Sequence, residues 1–384
     1  MSSKIPQGFA LTHNNTTVYI GMDVHKATFT LCSMADYEET PGNSQTIPVD
    51  YLLVVKYINR LKQRYGENAE YICGYEAGCL GYSLYHQLTN CGQNCVILAP
   101  STMPVESGKK RIKTDKRDAK LIATCLRNHT YKAVHIPTDE DDQIKEFIRM
   151  RDDLKGNLKR AKQQLLSFCL RHGKVYTQTK THWTQAHLKW LEDLKLDGVY
   201  QEVLDNYLVE IKHLMEVIDR YDRRIEELSR KETYQEPISH MTCLIGIKRP
   251  TALAIIVEVG DFKRFPSAER FASYLGLVPG EHSSSTDVNR LRITKAGNCH
   301  VRRLLTEAAQ SYARRKIGNK SKNLIKRQEG NPAKIIAYAD KANERLRRRY
   351  YSMMFRGKNS NVAKTAVARE LACFIWGMMT GRTE

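Results

Sequence analysis

Seven positions between residues 147 and 168 constrain this chain more than any others. Phe147, Arg151, Leu154, Leu158, Ala161, Leu165 and Phe168 recur at spacings of 4-3-4-3-4-3. Only a long α-helix gathers such a set onto one narrow stripe, and a stripe that narrow must be covered by another helix. Leu204, Leu208, Ile211, Met215, Ile218 and Ile225 supply a second stripe. Gly173 and the Thr/Gln-rich stretch that follows, as far as Gln185, break the chain between them. The pattern predicts two long coiled-coil helices that pair either as an antiparallel hairpin within one chain or between chains of an oligomer.

The sequence on either side reads differently. Residues 18–22, 28–32, 71–75 and 94–98 are short β-type runs, while 51–65, 80–90 and about 116–128 carry helical patterns. Strands alternating with helices predict an α/β domain with a mixed or parallel sheet. Beyond the second stripe, residues 244–247 read as a turn before a helix at 251–259, and 271–277 as another helix start. Residues 280–289 are polar and without periodicity, hence a loop. Basic helices follow at 301–315 and 332–350, and an apolar helix closes the chain at 365–379. The fold class is thus α/β plus all-α: a polar tail at 1–16, an α/β domain at 17–137, a helical middle at 138–238 and a mainly helical, basic domain at 239–384.

Charge points to the partner. The chain has 61 Lys+Arg against 42 Asp+Glu, a formal net of +19. Residues 239–384 hold 28 basic and 11 acidic groups, and the remainder a nearly balanced 33 and 31. An excess concentrated in one domain predicts a polyanionic partner such as nucleic acid. A hydrophobic content of 41% is too high for a disordered chain. The longest strongly apolar stretch, 371–379, is far short of the roughly 20 residues a bilayer requires. With no charged start followed by an apolar segment, the expectation is no membrane and a place in the cytoplasm or on the chromosome. Ten cysteines include no Cys-x-x-Cys pair. Cys91, Cys95 and His86 come nearest to a metal cluster, and free thiols in a reducing compartment are the better reading.

The acidic residues at the ends of the β-type runs are chemically suggestive. Asp23 follows Tyr19-Ile20-Gly21-Met22, and Glu76 follows Tyr71-Ile72-Cys73-Gly74-Tyr75. Open α/β sheets build their sites at strand ends. Asp115 and Asp118 stand three apart at the start of a helix, so they share a side of its first turn. Thr114 or Asp115 could equally cap that helix. Carboxylates converging on one point repel, by about 4 kcal/mol for a pair at ~4 Å and an effective dielectric of ~20. Divalent cations relieve that repulsion. Mg²⁺ prefers carboxylate oxygen and leaves positions open for phosphate, and two such ions support in-line displacement at phosphorus. The serines at 283–285 become nucleophiles only if a base or metal activates them.

Gly21-Met22-Asp23-Val24-His25-Lys26, Glu76-Ala77-Gly78 and Lys113-Thr114-Asp115-Lys116-Arg117-Asp118-Ala119 together resemble the Asp-Glu-Asp-Asp signature of one transposase family. Its members are insertion-sequence recombinases guided by a bridge RNA, with the pilin-gene invertases as relatives. Tyr274-Leu275-Gly276-Leu277-Val278-Pro279, the serines, Arg292-Ile293-Thr294-Lys295-Ala296-Gly297-Asn298 and Arg302-Arg303-Leu304-Leu305 resemble that family's C-terminal transposase domain. The resemblance runs in order from about residue 17 to 379.

The resemblance implies an RNase H-like (RuvC-like) N-terminal domain, a coiled-coil middle and a serine-bearing C-terminal domain. Asp23, Glu76, Asp115 and Asp118 would form a catalytic tetrad holding Mg²⁺, two ions in all. The nucleophilic serine of the family precedes a glycine. Here Ser285 occupies the glycine's place, which favours Ser284 as nucleophile and Ser283 as second choice. Relatives also have Gly-Ile-Gly where this chain has Gly246-Ile247-Lys248, so Lys248 would meet the phosphate backbone through its charge. Lys113, Lys116 and Arg117 beside the tetrad, Arg292, Lys295, Arg302 and Arg303 in the C-terminal motifs, and the run Arg347, Arg348 and Arg349 complete the expected nucleic-acid-binding set. The implied activity is RNA-guided strand cleavage and exchange through a 5′-phosphoserine intermediate, in a composite site that relatives assemble between subunits. Partners would be donor and target double-stranded DNA, a structured non-coding guide RNA, and further copies of the chain as a dimer or tetramer. The alternatives are a metal-dependent, junction-resolvase-like nuclease that uses water, and a nucleic-acid-binding protein without activity.

Overall fold

The computed structural model describes residues 16–78, 80–100, 103, 114–281, 290–314 and 317–383, with backbone alone at 281 and 290. Lys113, Ser283 and Ser284 lie outside the described residues, as does the expected tail up to residue 15. The chain gathers into two compact units, residues 1–136 and 137–384.

The first unit is built on strands β1 (Thr17–Val24), β2 (Thr28–Ala35) and β3 (Gln45–Pro48), helix α1 (Tyr51–Tyr65), strand β4 (Glu70–Glu76), helix α2 (Ser83–Asn90), strand β5 (Asn94–Leu98) and helix α3 (Asp115–Arg127). The sheet order is β3-β2-β1-β4-β5. β1 to β3 form an antiparallel meander, while β4 and β5 continue parallel to β1. A mixed sheet of this order fits the RNase H-like arrangement. β1 lies at its centre, with Val18, Ile20 and Met22 wholly buried. β3 was not foreseen. It has four residues, one of them buried, and ends on Pro48, a residue that only an edge strand tolerates.

Two glycines decide where α3 goes. A Cβ on Gly21 would stand 2.1 Å from the Ala119 carbonyl oxygen and 2.3 Å from the Ala123 nitrogen. A Cβ on Gly74 would meet the Leu126 side chain at 3.0 Å. The backbone of α3 therefore lies directly on β1 and packs beside β4, an approach that no larger residue at position 21 allows.

The second unit contains helices α4 (Asp139–Arg171), α5 (Gln185–Asp193), α6 (Val199–Leu228), α7 (Glu232–Thr242), α8 (Arg249–Val259) and α9 (Ala268–Tyr274), the ribbon β6 (Pro279–Glu281) and β7 (Arg290–Ile293), and helices α10 (Cys299–Ala309), α11 (Lys322–Gln328), α12 (Ala333–Phe355) and α13 (Ser360–Met379). α4 and α6 pair within the chain and run in opposite directions. Phe147 stacks on Tyr221 at 4.4 Å, and Phe168 meets Tyr207 at 6.0 Å. Arg151, the polar member of the first stripe, donates to Asp222 at 2.7 Å. The buried face of α6 uses Leu214 where the heptad pattern expected Met215, which is 36% exposed. A 3.6-residue helix drifts in this way against a 3.5-residue repeat. Ile144, Ile148, Ile225 and Leu228, at the base of the hairpin, share one core with α7 to α10, α12 and α13.

Candidate active site

Asp23 and Glu76 end neighbouring parallel strands, where Met22 pairs with Tyr75. Side chains alternate along a strand, so Asp23 points to the same face as Gly21, and Glu76 to the same face as Gly74. Both glycines face α3. The spacing Gly-x-Asp in β1 and Gly-x-Glu in β4 thus carries two carboxylates to the side of the sheet that α3 covers. Asp115 and Asp118 occupy the first turn of that helix. Its cap is Thr114, whose hydroxyl accepts from the Arg117 N–H at 3.4 Å. Asp115 is thereby released from capping.

Asp23, His25 and Asp115 each offer one ligand atom, and these atoms lie within 4.8 Å of one another. His25 Nε2 is 3.1 Å from Asp23 Oδ2 and 3.8 Å from Asp115 Oδ1. Burial raises the Asp23 carboxyl above its ordinary value; His25 opposes the shift, while the charges of Asp115 and Asp118 add to it. Asp118 is half-buried and acts on Asp23 through that field, and Glu76 is exposed at the adjacent strand end. The close group therefore contains two of the four expected carboxylates, with Asp118 within electrostatic range and Glu76 placed by register. His25 was not among the expected site residues. Its signal was its place two residues after Asp23, just beyond the strand end.

The cations are placed unequally. Lys116 and Arg117 are exposed on the first turn of α3, and Lys248 is exposed at the N-terminus of α8. Arg292 and Lys295 are exposed on and just after β7. Arg302 is engaged within the chain, donating to the carbonyls of Leu275 at 2.8 Å and Ala296 at 3.1 Å. Arg303 pairs with Asp152 and Glu307. Arg347 is 5% exposed and donates to the Asn319 carbonyl at 2.6 Å. Arg348 pairs with Glu344, whereas Arg349 is exposed. The three consecutive arginines do not form one patch, because a helix turns neighbours about 100° apart.

Comparison with known proteins agrees with this layout. Residues 240–326 match the family model described as Transposase IS116/IS110/IS902 family. Residues 20–172 match a model described as Transposase, that of the IS110-type DEDD domain. The chain is 35% identical to the protein y4qE of Sinorhizobium fredii over 80% of its own length and 75% of the relative's. It is 34% identical to the transposase for insertion sequence element IS1533 of Leptospira borgpetersenii, over 64% and 70% of the two chains. It is 24% identical to the transposase for insertion sequence element IS1111A of Coxiella burnetii, over 74% and 75%. Acidic site and basic helical unit thus belong to a DNA-processing enzyme, a transposase. The chain belongs to the IS116/IS110/IS902 family of insertion-sequence transposases. The four carboxylates fall within the match at residues 20–172 and the serines within that at residues 240–326, while Arg347, Arg348 and Arg349 lie beyond both.

Proposed function

We propose that this transposase is an RNA-guided recombinase that cleaves and rejoins DNA through a covalent phosphoserine. The observation that carries the metal-dependent part is the meeting of Asp23 and Asp115 at the end of β1, with the Asp23 carboxyl raised by burial and by its acidic neighbours. Oxygen donors held against their own repulsion fit a hard divalent cation such as Mg²⁺. Asp23, Glu76, Asp115 and Asp118 would hold it, and when bound it supplies Lewis-acid polarisation of the scissile phosphate.

Ser284 attacks the phosphorus, with Ser283 the second choice. A Ser–O–P bond forms, the P–O3′ bond breaks, the serine gives up its proton, and the leaving oxygen departs as a 3′-hydroxyl. The phosphodiester energy is kept, so a 3′-hydroxyl from another strand can reverse the step and join to the 5′ phosphate without ATP. Lys116, Arg117 and Lys248 would neutralise backbone phosphates. A structured RNA would choose donor and target DNA by base pairing, leaving the protein to read backbone and shape. The tetrad belongs to residues 1–136 and the serines to residues 137–384, so this reading calls for a composite site; the family resemblance implies assembly between subunits, which would make the chain a homo-oligomer, dimer or tetramer.

The test incubates the full chain with guide RNA, Mg²⁺ and end-labelled donor and target DNA, then runs denaturing gels. Wild type should show a shifted protein–DNA adduct, lost in Ser284→Ala and retained in Ser283→Ala. Metal-dependent cleavage with no adduct would replace this reading with a water-using nuclease.

A further inference from the structure

A cleft of about 1230 Å³ opens in the second unit between α9, the β6–β7 ribbon, α12 and α13. Its rim is cationic. Lys341, Arg345 and Arg349 follow one another at intervals of four along one face of α12, and Arg369 stands on α13. Seven basic side chains line the cleft against two carboxylates, Glu269 and Glu370, the latter paired with Arg345. Its floor is apolar: Leu277, Ile293, Phe374 and Trp376. Phe374 is held edge-on against Tyr338, with ring centroids 5.6 Å apart. Leu291 and Val362 line it while 52% and 54% exposed, so two large aliphatic side chains stand open to solvent in an otherwise charged rim.

A paired duplex keeps the flat faces of its bases inside the stack, so it would satisfy the rim but bring no base face to the floor. A base taken out of its stack supplies both: a phosphate for the cations, and a flat face for Leu291, Val362 and the Phe374 floor. The DNA handled by a transposase offers such bases wherever strands part before rejoining. We propose that this cleft is a binding site for an unpaired DNA nucleotide, with its phosphate on the Lys341–Arg345–Arg349 face and its base on the apolar floor.

The experiment measures binding of the full chain by fluorescence anisotropy to labelled DNA duplexes of one sequence. One is fully paired, one carries a single bulged thymidine, and one carries an abasic bulge. A bulged RNA duplex is the fourth probe. Wild type should prefer the thymidine bulge by about tenfold over the paired duplex and lose that preference with the abasic bulge. The double variant Leu291→Ser, Val362→Ser replaces two exposed side chains without changing charge. It should bind paired duplex as wild type does and show no preference for the bulge, with circular dichroism reporting an intact fold. Equal wild-type affinity for paired and bulged DNA, preference retained in the double variant, or preference for bulged RNA over bulged DNA would each overturn the proposal. No cleavage is required, so the outcome is independent of Ser284.

Discussion

In the first unit, charge is concentrated by backbone geometry. Gly21 and Gly74 let α3 lie on the sheet, strand alternation sends Asp23 and Glu76 to that face, and the Thr114 cap leaves Asp115 to meet Asp23. Residues 239–384 hold 28 basic groups; those among the described residues are spread over helices, the ribbon and the turns between them, and several are engaged by the protein itself. Arg302 ties two carbonyls, Arg303 bridges Asp152 and Glu307, and Arg347 is buried against Asn319. In the acidic site, position fixes role. In the basic region, a count of charges overstates the surface open to phosphate, and only the helical turn tells which arginine faces out.

The largest expected effect lies in the acidic site. Asp23→Ala, Glu76→Ala, Asp115→Ala and Asp118→Ala should each lower strand exchange at least about 100-fold, with circular dichroism unchanged, and chelation of Mg²⁺ should do the same to wild type. Asp115→Ala is the discriminating member. Because Thr114 caps α3, losing Asp115 should leave the helix in place; melting of α3 would return that residue to a capping role.

Backbone approach gives the next effect. Gly21→Ala drives a methyl group into the Ala119 carbonyl, and chemical denaturation should register a loss of about 3 kcal/mol. Wild-type stability in that variant would show that α3 is not seated on β1.

Within the arginine run, Arg347→Ala should cost about 2 kcal/mol by removing a buried side chain together with its charged hydrogen bond to the Asn319 carbonyl. Arg348→Ala, whose exposed side chain pairs with Glu344, should stay within about 0.5 kcal/mol. Equal losses in thermal melts would restore the run to a single patch. The smallest effect belongs to Arg349→Ala, which should leave stability intact and reduce the salt slope of duplex binding by about 0.9, the share of one phosphate contact.

The sequence made most of the first unit legible, since four of its five strands are apolar runs bounded by turn residues. It hid β3, where a single buried residue, Ile47, gives no alternation to read. α5 and α11 span nine and seven residues, too short for a clear period, and α7 carries Pro237 inside it. The β6–β7 ribbon, at Pro279–Glu281 and Arg290–Ile293, was hidden because strands of three and four residues carry no strand pattern, and residues 282–289 of the segment read as loop lie outside the described residues. The four carboxylates could be picked out because they sit at strand and helix ends, while His25, a single imidazole two residues past Asp23, carries no spacing that marks it. The burial of Arg347 had a faint signal: Ala339, Asn343, Leu346 and Tyr350 form the inward stripe of α12, and Arg347 sits beside it.

Cation binding at Asp23 is the claim on which the proposed chemistry depends, and calorimetric titration of the full chain with Mn²⁺ reaches it directly. Wild type should bind saturably, and Asp23→Asn, which keeps the shape and removes the charge, should bind at least about tenfold more weakly while remaining folded. Identical isotherms for the two proteins would contradict a metal site at the end of β1.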